Sequence, residues 1–190
     1  MKTIDIGPDG MAPHIVRFGK LAPKKGAFTS LGIPGEAYEM LAAKTLYTLM
    51  APAGTDGSFA NPGIAGPAGL SVSIAECPPG DGPLLHAHMQ THEIFFCLEG
   101  RFEISWGDKG QYRTVLEKFD MCNVPLGVMR AFTNVSDTTG RLMAIIQGTA
   151  RGDIAYAPEV GRQVEEKFGK PVRTAIEQHT SMRFDAGLEN

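Results

Sequence analysis

From Leu70 onward the chain alternates short apolar runs with turn residues. LSVSIAEC, LLHAH, EIFFCLEG, RFEISWG, YRTVLE, MCNVP, RAFTNVS and RLMAIIQG follow one another, rich in Val, Ile, Phe or Thr and bounded by Gly, Pro, Asp or Asn. Turns recurring at this spacing predict an all-β sandwich or barrel. Upstream, residues 1 to 33 read as an irregular arm with an edge strand over His14–Phe18. Its basic residues Arg17, Lys20, Lys24 and Lys25 read as a solvated surface. A short helix over Gly35–Ala43 and a strand over Thr45–Met50 follow. Residues 51–69 carry five Gly and three Pro and no period, which predicts a long loop able to cover the barrel mouth. After Gly148 the period turns helical. Val160, Val164 and Phe168 share one face, Gly169 ends that helix, and Pro171 opens a second with Val172 and Ile176 on one side. The organisation expected is an arm and Gly/Pro-rich loop over 1–65, a barrel over 66–150 and a helical segment over 151–190.

Composition narrows the class. Of 190 residues, 18 are Lys or Arg and 21 are Asp or Glu, for a net charge of −3. Phosphate backbones require a concentrated basic face, so nucleic acid is not an expected partner. No apolar window is long enough to cross a bilayer and no apolar signal core opens the chain, so neither membrane nor export is expected and the cytoplasm is the expected location. Three cysteines, Cys77, Cys97 and Cys122, do not form a disulfide framework.

The chemistry concentrates in one segment. His86, His88 and His92 fall within seven residues, with Glu93 adjacent. On a strand, His86 and His88 point to the same face. A turn would bring the Glu93 carboxylate round to join them. Two imidazoles and one carboxylate are a donor set for a divalent transition metal with open coordination positions.

The stretch Gly80 to Gly100, GDGPLLHAHMQTHEIFFCLEG, resembles the first cupin motif, G-x5-H-x-H-x3–4-E-x6-G, at every constant position: Gly80, His86, His88, Glu93 and Gly100. FDMCNVPLGVMRAFTN is similar to the second motif, with Pro125, Gly127 and Asn134 in register. There, Phe119 stands at the leading glycine and Arg130 at the position of the fourth ligand, usually histidine. The resemblance implies a cupin-like antiparallel β-barrel (a double-stranded β-helix of jelly-roll type), a metal held inside it, and a homodimer.

Arginine cannot ligate a metal. Strand alternation sends Arg130 into the barrel beside Glu93, where three arrangements are open. In the first, the metal sits on His86, His88 and Glu93, and Arg130 clamps an anionic substrate. In the second, Arg130 pairs with Glu93 in a metal-free barrel. In the third, His92 takes the missing ligand place. Phe95, Cys97 and Phe132 fall on the same inward face and are expected to form an apolar pocket for substrate. Within what the resemblance implies, the expected function is a metal-dependent enzyme on a small organic acid or aromatic, holding iron or manganese by preference and zinc or nickel otherwise, with dioxygenase-type oxidation ahead of isomerase or lyase chemistry. The alternative is a non-catalytic small-molecule-binding or sensing barrel with a Glu93–Arg130 ion pair.

Overall fold

The computed structural model describes residues 1–25, 28–148 and 154–187. The expected boundary between barrel and helical segment, at 150/151, lies outside the described residues. The strands are β1 (Thr45–Pro52), β2 (Ile64–Gly66), β3 (Leu70–Cys77), β4 (His86–His88), β5 (His92–Glu99), β6 (Phe102–Trp106), β7 (Tyr112–Leu116), β8 (Met121–Val124), β9 (Arg130–Asn134), β10 (Gly140–Gln147), β11 (Ile154–Tyr156) and β12 (Met182–Arg183). They form two six-stranded sheets, ordered β2-β1-β3-β10-β5-β8 and β12-β11-β4-β9-β6-β7. Within them, β3-β10-β5-β8 faces β4-β9-β6-β7 as the double-stranded β-helix that the cupin resemblance implies, within the sandwich or barrel predicted from the turn spacing. Strands from either side of 66–150 extend the two sheets, and two outer pairs, β1–β2 and β11–β12, run parallel.

Period-two alternation sets the core. On β5, Glu93, Phe95 and Cys97 face inward, and on β10, Gly140, Leu142 and Ala144 do the same. Phe95, Phe102, Phe132 and Leu142 pack between the sheets. Full burial of a side chain such as Leu142 is worth roughly 1.5–3 kcal/mol. A second core lies beneath the helices α2 (Gly35–Leu41), α3 (Pro158–Phe168) and α4 (Lys170–His179). There Tyr38, Leu41, Val160, Val164 and Ile176 close over Tyr156 of β11, which is the apolar face that the helical period predicts.

Several local expectations change. The edge strand over His14–Phe18 does not form. The arm instead runs through a single helical turn, α1 (Pro8–Met11), and 3-10 turns at Ala12–His14 and Phe18–Lys20. Pro8 and Pro13 sit in the first turns of the first two, where a missing N–H costs nothing, whereas a strand ladder would need it. The segment 51–69 is not wholly irregular, because Ile64–Gly66 adds β2 to the sheet edge. Lys24 is not a solvated surface residue. Its backbone exchanges hydrogen bonds with Leu46 of β1, at 2.8 and 3.2 Å, and its ammonium is buried.

The loop that delivers β4 is laced to β9. Gly80 N–H donates to the Asn134 carbonyl at 2.8 Å, and Asn134 N–H donates to the Asp81 carbonyl at 2.9 Å. Gly82 lies so close to β9 that a Cβ there would come within 1.8 Å of the Phe132 carbonyl oxygen. Only glycine permits that approach. Phe119, at the position of the second motif's leading glycine, nonetheless adopts a left-handed φ of 76° and lays its exposed ring on Phe96. Gly82→Ala is expected to destabilise the protein by at least about 2 kcal/mol, because the clash is with backbone and cannot be relieved by a rotamer. Urea unfolding followed by fluorescence measures this, and an unchanged midpoint would show that the loop is not held against β9.

Candidate metal centre

The centre lies where β4, β5 and β9 meet across the two sheets. His86 and His88 project from the same face of β4 because they are two residues apart. Glu93 arrives from β5 in the opposite sheet. Arg130 pairs directly with His86 in the β4–β9 ladder. The four residues are 6, 5, 7 and 1% exposed, in the order His86, His88, Glu93, Arg130.

One ligand atom from each of His86, His88 and Glu93 lies within 4.8 Å of the others. His86 Nδ1 donates to the Leu84 carbonyl at 2.7 Å. A carbonyl only accepts, so in the neutral ring the Nε2 lone pair is the one available to a metal. Burial, and secondarily the Arg130 charge, lower the His86 pKa to about 3, against the opposing pull of the Leu84 bond. Neutral imidazole is the ligating form. His88 Nδ1 lies 3.0 Å from the Thr91 hydroxyl, and its Nε2 lies 3.7 Å from Glu93 Oε2. The donor chemistry therefore suits a divalent transition metal.

Arg130 does what its inward register implies. Nη2 and Nε both donate to Glu93 Oε2, at 2.6 and 3.0 Å, and Nη1 donates to the His86 carbonyl at 3.3 Å. A buried carboxylate costs several kcal/mol unless paired, and this fork supplies the partner. These three bonds hold Glu93 and the β4 backbone, so the clamp on substrate expected for Arg130 is not what its guanidinium makes here.

Two further expectations are corrected. His92 is exposed and does not join the cluster. Neighbours on a regular strand point oppositely, so with Glu93 inward His92 faces out. Phe95, Cys97 and Phe132 belong to the packed core and do not line an open pocket. The Phe95 and Phe132 rings meet edge to face at 5.3 Å, and Cys97 Sγ donates to the Gly100 carbonyl. Burial raises the thiol pKa of Cys97, as expected for an inert buried cysteine.

Tyr156 was not found by reading the sequence. β11 pairs with β4 in register, setting Tyr156 against His86, and the two rings lie 5.4 Å apart. The Tyr156 hydroxyl donates to the Leu41 carbonyl, and burial pushes its pKa up, so it stays protonated. A three-residue strand shows no period, and only the ladder with β4 reveals its place. Thr91 was missed too, although a hydroxyl three residues after a ligand histidine is a legible signal for an orienting partner.

A double-stranded β-helix with a buried pair of histidines and a carboxylate defines the class. Residues 73–146 match the model of the cupin domain family, and this barrel is a cupin domain. Cupins commonly bind a transition metal, and His86, His88 and Glu93 could hold one. No curated protein matches the chain. Among solved structures, the chain is similar to a protein from Bacillus halodurans (16% identity, 47% of this chain and 70% of that one, TM-score 0.43). It is also similar to the Cnp3 cupin domain of Schizosaccharomyces pombe (14% identity, 55% and 64%, TM-score 0.43). A third similar structure is an oxalate oxidase in complex with the substrate analogue glycolate (20% identity, 58% and 63%, TM-score 0.42). The matched region spans less than two thirds of the second and third of these chains.

The lowered His86 pKa has a consequence for stability. Between the folded value of about 3 and the ordinary 6.5, the unfolded chain binds a proton at His86 that the folded chain refuses. Stability of the metal-free protein should therefore fall as pH drops from 6.5 toward 3, and His86 should add no slope above 6.5. Urea midpoints across this range measure it. His86→Gln should flatten the profile, and an equally steep profile in that variant would assign the titration elsewhere.

Proposed function

We propose that this cupin is a metal-dependent enzyme acting on a small organic acid or aromatic, with oxidation by molecular oxygen preferred over isomerase or lyase chemistry. The observation that carries the reading is the buried set of His86, His88 and Glu93, with the His86 tautomer set by Leu84. Iron or manganese is the preferred ion, and zinc or nickel also suits the donors. Bound there, the ion would supply Lewis acidity and positions for oxygen and substrate. The chain's own residues do the rest. Leu84 and Thr91 orient the two imidazoles, Arg130 pairs with the Glu93 carboxylate and holds it in place, and the sheets exclude water from the reacting volume.

A second reading is a metal-free binding barrel, and the Glu93–Arg130 fork is the observation that favours it. Metal content separates the two. Elemental analysis of the untagged, chelator-free protein should find close to one transition-metal ion per chain. His86→Ala should lose most of that metal while the barrel keeps its far-ultraviolet circular dichroism. Oxygen consumption with a panel of small carboxylic and aromatic acids then tests the reaction. A wild-type protein that stays metal-free after reconstitution would overturn the metal-dependent reading.

Arg130→Met should destabilise the metal-free protein by about 3–5 kcal/mol, since it strands the Glu93 charge in the interior. Added Mn(II) should recover part of that loss in the variant, because the ion supplies the missing positive charge. Thermal unfolding with and without Mn(II) measures both effects.

A further inference from the structure

With Arg130 and Glu93 paired, the centre is electrically balanced. Among the described residues, the acidic side chains buried in the fold are Asp81 and Glu93. Asp81 is engaged elsewhere. It accepts from the Lys44 backbone N–H at 3.4 Å, lies 3.9 Å from the Lys44 ammonium and takes a hydrogen bond from the Cys77 thiol. Its loop meets β9 at Asn134, four residues from Arg130, which is about 13 Å along a strand. The other groups at the centre add no charge. A ligating imidazole is neutral, and Tyr156 uses its proton on the Leu41 carbonyl.

The ion pair also sits where a metal would. Nη2 and Nε of Arg130 both donate to Glu93 Oε2, and the same oxygen lies 3.7 Å from His88 Nε2. A divalent ion held by His86, His88 and Glu93 would therefore share one carboxylate with the guanidinium. The single negative charge of that carboxylate falls two short of the ion and the guanidinium together. An unbalanced charge taken out of water is costly unless a partner comes with it. Arg130 cannot shed its proton to relieve the excess, and its bonds to Glu93 and the His86 carbonyl hold it in place. The balancing charge has to come from outside the chain.

Solvent touches the donors, though narrowly. The His88 and Glu93 side chains retain 6 and 8% exposure, whereas Phe95 and Cys97, further along β5, retain none. An opening of that size favours an anion as small as formate or acetate over a larger acid.

We propose that the centre binds its divalent ion and a small carboxylate anion as a cooperative pair, and that the Arg130 charge, acting through space rather than by contact, sets the strength of this coupling. The anion removes the excess positive charge that Arg130 leaves on the loaded centre, and the ion gives the anion its partner. This rests on the reading of His86, His88 and Glu93 as a metal site, and it narrows the substrate to one whose anionic group binds together with the metal. Coupling of this kind is reciprocal, so each ligand tightens the other by the same factor. Arg130 thereby regains a part in anion recognition, as a charge and not as a clamp.

Calorimetric titration of the metal-free full chain with Mn(II), at increasing sodium acetate and at constant ionic strength set with sodium perchlorate, tests this. Acetamide, which matches acetate in size and carries no charge, is the control. Acetate should raise the Mn(II) affinity of wild type about tenfold or more and then level off, while acetamide changes it less than about twofold. Two variants remove the Arg130 charge: Arg130→Met, and Arg130→Gln, which keeps an N–H donor for Glu93. In the absence of acetate both should bind Mn(II) more tightly than wild type, because a repelling charge is gone. Acetate should then add about threefold or less. The coupling is overturned if Mn(II) binds wild type equally well with and without acetate, if acetamide matches acetate, or if the variants respond to acetate as wild type does. Mn(II) binding that ignores acetate would overturn the coupling alone and leave the metal reading standing. No Mn(II) binding at any acetate concentration would overturn both.

Discussion

A carboxylate inside a protein must have a cation, and the interior of this barrel is arranged around that requirement. Glu93 comes from one sheet and Arg130 from the other, and the fork between them at 2.6 and 3.0 Å ties the two sheets together at the site. The guanidinium also reaches the His86 carbonyl, so the group that neutralises Glu93 positions the strand carrying both imidazoles. A metal ion would be a second cation beside the same carboxylate. The charge balance of the centre therefore decides between an enzyme and a binding barrel, which is why metal content is the discriminating quantity.

The imidazoles are held from outside the cluster. Leu84 sets the protonated nitrogen of His86, Thr91 meets Nδ1 of His88, and Tyr156 packs against the His86 ring. Orienting partners of this sort keep donor atoms in place without adding to their number. The loop before β4 is in turn seated on β9 by Gly82 and by bonds through Gly80, Asp81 and Asn134, so the ligands inherit their placement from a backbone-to-backbone contact. Asn134 adds side-chain bonds to the Cys77 and Thr138 carbonyls, which explains a buried amide at that point of the second motif.

Much of this was legible in the chain. Strand-length apolar runs with regular turns predicted a sandwich or barrel, the motif resemblance implied the double-stranded β-helix, and alternation sent Glu93, Phe95 and Cys97 inward and His92 outward. The first motif brought His86, His88 and Glu93 together. Less was legible where the pattern is short or the partner distant. The strand expected over His14–Phe18 gave way to helical turns at Pro8 and Pro13, and β2 and β11 are too short to show a period. Lys24 read as surface because a lysine among lysines in an arm usually is. Its burial comes from one bridge to Leu46, which no local pattern records.

The sequence by itself determined the class of fold, the inward residues of each long strand and the identity of the donor atoms, because these follow from period-two alternation and from side-chain chemistry. Tertiary structure alone decided how those atoms are used. Whether Arg130 clamps a ligand or a neighbouring carboxylate depends on which group lies within hydrogen-bond reach across two sheets. That Tyr156 guards His86 and that Lys24 is drawn into the fold depends on pairings between segments far apart in the chain. Distances of this kind are set by packing, and no local run of residues contains them.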